Sequence, residues 1–267
     1  MKNPSKPVQM FLALGLAATI AACGGTTTTE GGEGGEGTEA TEDVAEGGEG
    51  GEGGEGGEGG EGGEGGEGGE GGAEYSEGQQ ANADFEDQLE GADLVSELQK
   101  GGYVIFFRHA QTTEDYADQA DPNLDLDDCS TQRELSDAGK ADAAVIGEAF
   151  TALEIPVGDV ISSDYCRSYN TADIAFGTYE KNSALNFEPA EEYTDEQWET
   201  MKSNVTPLLS AVPAEGQNTV LIGHDDVFES ATGIYPEPQG IAYVAKPDGE
   251  GFELVANLNP EDWAELQ

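Results

Sequence analysis

Two histidines are the only imidazole groups in this chain of 267 residues, and each follows an apolar run rich in β-forming residues. His109 comes after the run 103–107, and His224 comes after the run 219–222. A single residue, Arg108, separates the first run from its histidine. Open α/β sheets form their ligand sites where the strands end. The spacing therefore predicts that both histidines lie at the edge of a sheet where such sites form.

Arginine is almost as scarce, with three residues in the chain: Arg108, Arg133 and Arg167. Phosphoryl transfer requires a nucleophile in line with phosphorus and cations around the equatorial oxygens. A neutral imidazole can be that nucleophile, and a guanidinium group offers planar donors that match phosphate oxygens. The histidines with Arg108 and Arg167 therefore indicate phosphoryl transfer. For Arg133 a solvated ion pair is the alternative to contact with a substrate.

Strands that alternate with helices must position these groups. The apolar patterns predict buried strands at 103–107, 157–161 and 219–222, and edge strands at 240–245 and 252–256. They predict helices at 93–100, 136–153, 167–176 and 195–209. This alternation indicates one α/β domain with a mostly parallel sheet.

Four motifs occur in order along this domain: Arg108-His-Ala110, Leu135-Ser-Asp-Ala-Gly139, Ser162-Ser-Asp-Tyr-Cys-Arg167 with Thr171-Ala172, and Gly223-His224. Together they resemble the histidine phosphatase superfamily, the group of phosphoglycerate mutases and acid phosphatases. The resemblance covers residues 94–258. It implies a three-layer α/β sandwich, a mostly parallel central sheet flanked by helices, as in phosphoglycerate mutase-like proteins. One departure is Ala110, which stands where glycine is usual in the family.

The resemblance also implies roles for the residues of these motifs. It makes His109 the nucleophile that becomes phosphohistidine, and it places three groups in the phosphate pocket: Arg108, Arg167 and His224. Thr112 and Arg133 are further candidates for contact with phosphate. No cofactor and no metal are implied, and the spacing of cysteine and histidine fits no zinc pattern.

The proton donor for the leaving oxygen has two candidate positions. In the acid phosphatase branch an aspartate directly after the second histidine donates the proton, and Asp225 matches it. In the mutase branch a glutamate further along the chain does so, near Glu191 and Glu192. We prefer Asp225 because it is adjacent to the pocket. Either carboxyl needs a raised pKa, through burial or nearby negative charge, to stay protonated.

The expected activity is hydrolysis of a phosphorylated small molecule through phosphohistidine. A phospholigand-binding module without catalysis on the same fold is one alternative, which an intact His109 disfavours. A phosphomutase is another, which the shortage of further cations and the expected export disfavour. The residues do not identify the natural substrate.

The first 22 residues have the pattern of a signal peptide. Lys2 and Lys6 precede an apolar run of 13 residues, 10–22, which is shorter than the roughly 20 residues of a membrane-spanning helix. The sequence Ile20-Ala-Ala-Cys23 resembles a bacterial lipobox, so we expect cleavage before Cys23 and lipidation of its thiol. A plain secretory signal with an incidental cysteine is the alternative. The prediction is an exported protein anchored by lipid to a bacterial membrane, in the periplasm or on the outer surface.

Between this anchor and the domain, residues 23–83 are predicted to be a disordered linker. Residues 47–72 repeat Gly-Gly-Glu and contain no apolar side chain, so they cannot form a core. The catalytic domain is predicted to span 84–267, which is long enough for one good core.

The formal net charge of the chain is −46 at pH 7. The linker carries 17 of the 56 acidic residues, which leaves 39 acidic and 8 basic residues in 84–267. Such a surface repels nucleic acid and anionic lipid headgroups, so we expect neither to be a partner. A saline habitat or an ordinary acidic exported protein would explain the charge equally well.

Two further features concern the loops of the domain. Five aspartates lie in residues 118–128, here called the acidic loop, and we expect this loop to be solvated because it lacks the pattern of an EF-hand. Cys129 and Cys166 remain once Cys23 is assigned to lipid. In an oxidising compartment they are candidates for a disulfide, and a free buried pair is the alternative.

Overall fold

A computed structural model describes residues 75–267 of the chain. A six-stranded sheet forms its middle layer, in the order β3-β2-β4-β1-β5-β6. The strands are β1 (Val104–Arg108), β2 (Val157–Ser162), β3 (Glu180–Lys181), β4 (Asn218–Gly223), β5 (Ala242–Pro247) and β6 (Phe252–Leu258). The helices are α1 (Glu77–Ala83), α2 (Gly91–Leu98), α3 (Asp137–Ala152), α4 (Cys166–Phe176), α5 (Asp195–Ser210), α6 (Asp225–Thr232) and α7 (Asp262–Glu265).

The two central strands are buried along their whole length. Every residue of β1 and β4 is buried, as expected for continuous apolar runs that are covered on both faces. Strands β3, β2, β4 and β1 run parallel, whereas β5 and β6 pair antiparallel. The prediction that β5 is an edge strand is wrong, because β5 pairs with β1 on one side and β6 on the other.

Helices cover both faces of the sheet, which confirms the predicted three-layer α/β architecture. On one face, α2, α3, α4 and α7 supply Leu94, Phe150, Ala172 and Trp263 to the core. On the other face, helices α5 and α6 supply a second set of apolar side chains: Met201, Val205, Leu209, Val227 and Phe228.

The folded part begins before residue 84. Helix α1 starts with a capping box of Ser76 and Gln79, and Asn82 of the same helix donates to the Glu237 carbonyl at 2.9 Å. The predicted linker, 23–83, is therefore too long at its C-terminal end. The rest of the linker, the signal peptide and Cys23 lie outside the described residues. Within 75–267 no helix is long and apolar enough to cross a membrane.

Candidate active site

Both histidines lie at the same edge of the sheet because β1 and β4 are parallel neighbours. The His109 amide donates to the Gly223 carbonyl at 3.0 Å, which places the two strand ends side by side. His224 follows β4 directly and is the N-cap of α6. The ring centroids are 5.4 Å apart, and both side chains are buried. The structure thus brings together the two predicted histidines.

The hydrogen bonds of His109 define its protonation. Its Nδ1 lies 2.9 Å from the Ala110 carbonyl oxygen, which can only accept, so Nδ1 carries the proton. Its Nε2 accepts from Nε of Arg167 at 3.1 Å. Burial lowers the pKa of His109 well below its usual value, and the charges of Arg167 and Arg108 lower it further. His109 is therefore neutral at pH 7, with the lone pair of Nε2 on the side of Arg167.

His224 is held by the strand next to its own. Its Nε2 lies 2.8 Å from the hydroxyl of Ser163, the residue after β2. Its ring packs on Phe187 with centroids 4.1 Å apart. Burial, followed by the charges of Arg167 and of His109, lowers the pKa of His224. This histidine is also neutral at pH 7.

Arg167 is fully buried in the first turn of α4. Its Nη1 and Nη2 donate to the two carboxylate oxygens of Asp118 at 2.7 and 3.0 Å. The face of the guanidinium lies over the ring of Tyr165, with Cζ 4.7 Å from the centroid. Asp118 is fully buried as well, so the expectation of a solvated acidic loop is wrong for this residue. The ion pair with Arg167 draws it into the site.

Arg108 is the last residue of β1 and directly precedes His109. Its Nη2 forms a 2.6 Å ion pair with Asp225, and its Nη1 donates to the carbonyl of Pro236 at 2.9 Å. The hydroxyl of Tyr235 donates to the same carboxylate at 2.9 Å. Asp225, which we preferred as the proton donor, is thus mostly buried and contacts Arg108, a residue predicted to bind phosphate.

Arg133 belongs to the same cluster. Its Nη2 donates to the hydroxyl of Thr112 at 2.7 Å and pairs with Asp115 at 2.7 Å. Its side chain is 7% exposed, so it is not a solvated surface arginine. Its Nη1 donates to the carbonyl of Tyr116 at 3.1 Å, and its backbone amide donates at 3.0 Å to Asp118, the partner of Arg167. Thr112 and Arg133, which the sequence analysis named as further candidates for contact with phosphate, therefore contact each other beside the Arg167–Asp118 pair.

All three arginines and both histidines of the chain thus lie together near the C-terminal ends of the central strands β1 and β4. Each arginine pairs with one aspartate: Asp225, Asp118 and Asp115. Within residues 75–267, three buried nitrogens of the cluster lack a hydrogen-bond partner: Nε of Arg108, Nε of Arg133 and Nδ1 of His224. Buried polar atoms are normally satisfied, so we expect water or an external ligand at these nitrogens. Two of the three, the Nε atoms of Arg108 and Arg133, are donors of guanidinium groups, which suits an anionic ligand.

One acidic group of the site was missed by the sequence analysis. Burial, followed by the charge of Asp225, raises the pKa of Asp226 to about 7. The hydroxyl of Tyr193 bonds to Asp226, and Gln119 of the acidic loop donates to that hydroxyl at 3.2 Å. The doubled aspartate after His224 was the signal that could have identified it. Glu191 and Glu192, the mutase-branch candidates, are exposed.

The motif at the start of α3 supports the segment after His109. The hydroxyl of Ser136 accepts from the amide of Gly139 at 3.0 Å and donates to the carbonyl of Gln111 at 3.2 Å. A Cβ atom on Gly139 would lie 2.2 Å from that carbonyl oxygen. Glycine is therefore required for the close approach of the helix to the backbone just beyond the nucleophile candidate.

A disulfide joins the acidic loop to the residue before Arg167. Cys129 and Cys166 are bridged, with their Cα atoms 5.7 Å apart. The loop end and the start of α4 are thereby fixed to each other. The bridge lies beside the ion pair of Arg167 with Asp118.

A cavity of about 500 Å³, here called the outer cavity, adjoins the cluster. Its lining includes Arg108 and Thr112 from the site, together with a set of acidic and amide side chains: Gln79, Gln111, Glu114, Asp115, Glu237 and Gln239. Within residues 75–267 we find no group of three or more His, Cys, Asp or Glu side chains placed to hold a metal ion.

Comparisons with known proteins give similarity to solved structures only. No family model and no curated protein matches the chain. The protein histidine phosphatase SixA complexed with tungstate is 13% identical, with a TM-score of 0.43 over 60% of this chain and 98% of that chain. The putative phosphohistidine phosphatase SixA from Agrobacterium tumefaciens is 18% identical, with a TM-score of 0.39 over 60% and 99%. A mycobacterial glucosyl-3-phosphoglycerate phosphatase in complex with VO3 is 15% identical, with a TM-score of 0.42 over 58% and 97%.

Proposed function

We propose that the chain is a phosphomonoester hydrolase that works through a phosphohistidine at His109. One observation carries the proposal: a chain with a net charge of −46 buries all its arginines and histidines at one sheet edge. Burial of charge is costly unless the charge is paired or used. Aspartates pair with the three arginines, and a site for a phosphoryl group further explains why two neutral histidines and the unpartnered Nε atoms of Arg108 and Arg133 lie with them.

The geometry supports a two-step transfer. In the first step Nε2 of His109 bonds to phosphorus, the ester P–O bond breaks, and a carboxyl group protonates the leaving oxygen. In the second step water attacks phosphorus, gives a proton back to the carboxylate, and releases inorganic phosphate and free histidine. Arg108 and Arg167 stabilise the charge on the equatorial oxygens in both steps.

The proton comes, in this proposal, from the adjacent pair Asp225 and Asp226. Asp225 contacts Arg108 and so lies next to the bound phosphoryl group. Asp226, with its pKa raised to about 7, holds a proton for part of the time at neutral pH. We assign Asp225 as the donor and Asp226 as the group that shares its proton. Glu191 and Glu192 are exposed and have no such contact with the cluster among the described residues.

The substrate is proposed to be extracytoplasmic. The signal-peptide and lipobox patterns support export, and so does the disulfide between Cys129 and Cys166, because disulfides persist mainly in oxidising compartments. The same patterns support a lipid anchor on Cys23 that holds the domain at a bacterial membrane.

The experiment that tests the function is a comparison of the full chain with its His109→Ala variant. We expect the wild type to release phosphate from p-nitrophenyl phosphate and from alkyl phosphates, and to form an acid-labile, base-stable phospho-enzyme. His109→Ala should lose both while it remains folded. Phosphate binding without turnover in the wild type would instead support a binding module, and substantial turnover by His109→Ala would exclude the phosphohistidine.

Leaving-group dependence tests the donor. Asp225→Asn should slow alkyl phosphates far more than p-nitrophenyl phosphate, because nitrophenolate leaves without a proton. Glu191→Gln and Glu192→Gln are matched controls that remove exposed carboxyl groups. Equal losses for both substrate classes in Asp225→Asn would mean that this aspartate only positions Arg108.

A further inference from the structure

The outer cavity is acidic although it adjoins a cluster of cations. Three carboxylates line it, those of Glu114, Asp115 and Glu237. Among the described residues, Arg108 is the one cationic side chain of the lining, and Asp225 already pairs with it. The surroundings of the cavity are therefore unlike those of the phosphate cluster. They attract positive charge and repel negative charge.

Two residues, Arg108 and Thr112, connect the outer cavity with the candidate active site. Arg108 belongs both to the lining and to the site, where it directly precedes His109 in the chain. Thr112 also belongs to both, since its hydroxyl accepts from Arg133. A phosphoryl group bound beside these residues would extend its ester oxygen and leaving group into the outer cavity. Its volume of about 500 Å³ suits a small alcohol.

Hydrogen-bonding groups in the lining fit a polar alcohol. The lining includes the side-chain amides of Gln79, Gln111 and Gln239. Gln79 donates to the carboxylate of Glu237 at 3.1 Å, and Gln239 accepts from the amide of Thr112 at 2.8 Å. These contacts hold the amides in place along the wall. The oxygens of the three amides already accept from Ser76, Ser136 and Thr112, so the acceptors that remain for the leaving group are the carboxylates of the lining.

We propose that the site selects phosphomonoesters of cationic amino alcohols, and that it disfavours esters whose leaving group carries a carboxylate or a second phosphate. This inference rests on the proposed function and adds its substrate class. An anionic leaving group would find no free cation in the lining, because Arg108 pairs with Asp225 and Arg133 with Asp115. A cationic amine would replace water at carboxylates that have no cationic partner there.

The size of the preference follows from exposed charge pairs. One exposed pair contributes about 0.2–1 kcal/mol, which is a factor of roughly 1.4 to 5. Glu114 and Glu237 attract a cation and repel an anion, and Asp115 adds to this in part because Arg133 neutralises it. We therefore expect kcat/KM to differ by about 10- to 100-fold between cationic and anionic leaving groups at low salt. Screening should reduce the difference in about 0.5 M salt.

Three phosphomonoesters of similar length test the proposal on the full chain. They are O-phosphoethanolamine, the phosphate monoester of ethylene glycol, and 2-phosphoglycolate, whose leaving groups are cationic, neutral and anionic. We expect kcat/KM to fall in that order at low salt. The variants Glu114→Gln and Glu237→Gln should narrow the range by several-fold each. Glu148→Gln, an exposed residue of α3 outside the outer cavity, is the control that should keep the wild-type order.

The outcomes separate this inference from the function on which it rests. Failure to hydrolyse any ester, p-nitrophenyl phosphate included, would overturn the phosphatase and the inference together. Hydrolysis with equal kcat/KM for the three esters, or with a preference for 2-phosphoglycolate, would overturn the inference alone. If the protein prefers O-phosphoethanolamine and neither Glu114→Gln nor Glu237→Gln changes that preference, the assignment of the preference to the outer cavity is wrong.

Discussion

The Asp118→Asn substitution should destabilise the fold and at the same time strengthen the binding of phosphate. Asp118 and Arg167 are both fully buried, and two hydrogen bonds of 2.7 and 3.0 Å join them. The same carboxylate accepts from the amide of Arg133 at 3.0 Å. An asparagine would keep one acceptor and would turn an NH2 group towards a donor. The charge of Arg167 would then be buried without its partner.

The cost follows from that loss of a partner. Removal of one member of a buried ion pair typically costs about 3–5 kcal/mol, out of a total unfolding free energy of about 5–15 kcal/mol. For a domain of this size each kcal/mol corresponds to roughly 2–4 °C in Tm, so we expect a fall of roughly 6–20 °C. Phosphate should recover part of it, because the anion can take the place of the carboxylate on Arg167.

Thermal unfolding of the full chain with and without inorganic phosphate measures both effects. A ligand at 100 times its Kd adds about 2.7 kcal/mol to the unfolding free energy. We expect phosphate to raise the Tm of Asp118→Asn more than that of the wild type, since no carboxylate has to leave Arg167 first. Asp127→Asn, an exposed residue of the same loop, is the matched control. A smaller phosphate effect in Asp118→Asn would refute the competition and would make Asp118 a positioning residue for Arg167.

Three other substitutions have defined outcomes. Gly139→Ala would place Cβ 2.2 Å from the Gln111 carbonyl oxygen, so it should lower the free energy of unfolding by about 1–3 kcal/mol and abolish the proposed phosphatase activity. Gly251→Ala, whose Cβ meets only an ordinary contact at 4.0 Å, is the control that should change neither. Since the folded state binds the proton of Asp226 more tightly than the unfolded state, stability from this group falls as pH rises from about 4 to about 7. In urea unfolding, the free energy of unfolding of Asp226→Asn should therefore rise relative to that of the wild type by on the order of a few kcal/mol between pH 5 and pH 8. A difference between the two proteins that does not change with pH would contradict the raised pKa. Cys23→Ser should move the protein from the membrane fraction to a soluble form or an unprocessed precursor, and unchanged fractionation would exclude the lipid anchor.

Local sequence patterns were sufficient to predict the strands and the helix that position the candidate active site. The apolar runs before His109 and His224 correspond to β1 and β4, and the helix predicted at 167–176 is α4 with one added residue. These patterns depend on residues close in sequence. Helix α6, which follows His224, is absent from the predicted elements; Asp225 and Asp226 occupy its first turn, where acidic residues favour a helix.

Contacts between residues far apart in the sequence could not be predicted from local patterns. Asp118 looks like any other aspartate of an acidic loop, and its partner Arg167 lies 49 residues away. The apolar run 241–245 fits a buried strand, but the place of β5 between β1 and β6 depends on pairing partners that its own residues do not specify. Helix α1 has no apolar stripe, and its position depends on contacts with Glu237 and Tyr243, far along the chain.

The bridge between Cys129 and Cys166 has a consequence for how the protein matures. It closes a loop of 37 residues and is expected to contribute about 4 kcal/mol, a large share of the stability of such a domain. A chain synthesised in a reducing cytoplasm would lack this contribution and would carry an acidic loop that is not fastened to α4. Recombinant protein should therefore be produced by secretion, and assay buffers should contain no thiol reductant. Under the proposed function and export, the same requirement would delay an active phosphatase until the chain has left the cytoplasm and would so protect phosphorylated metabolites there.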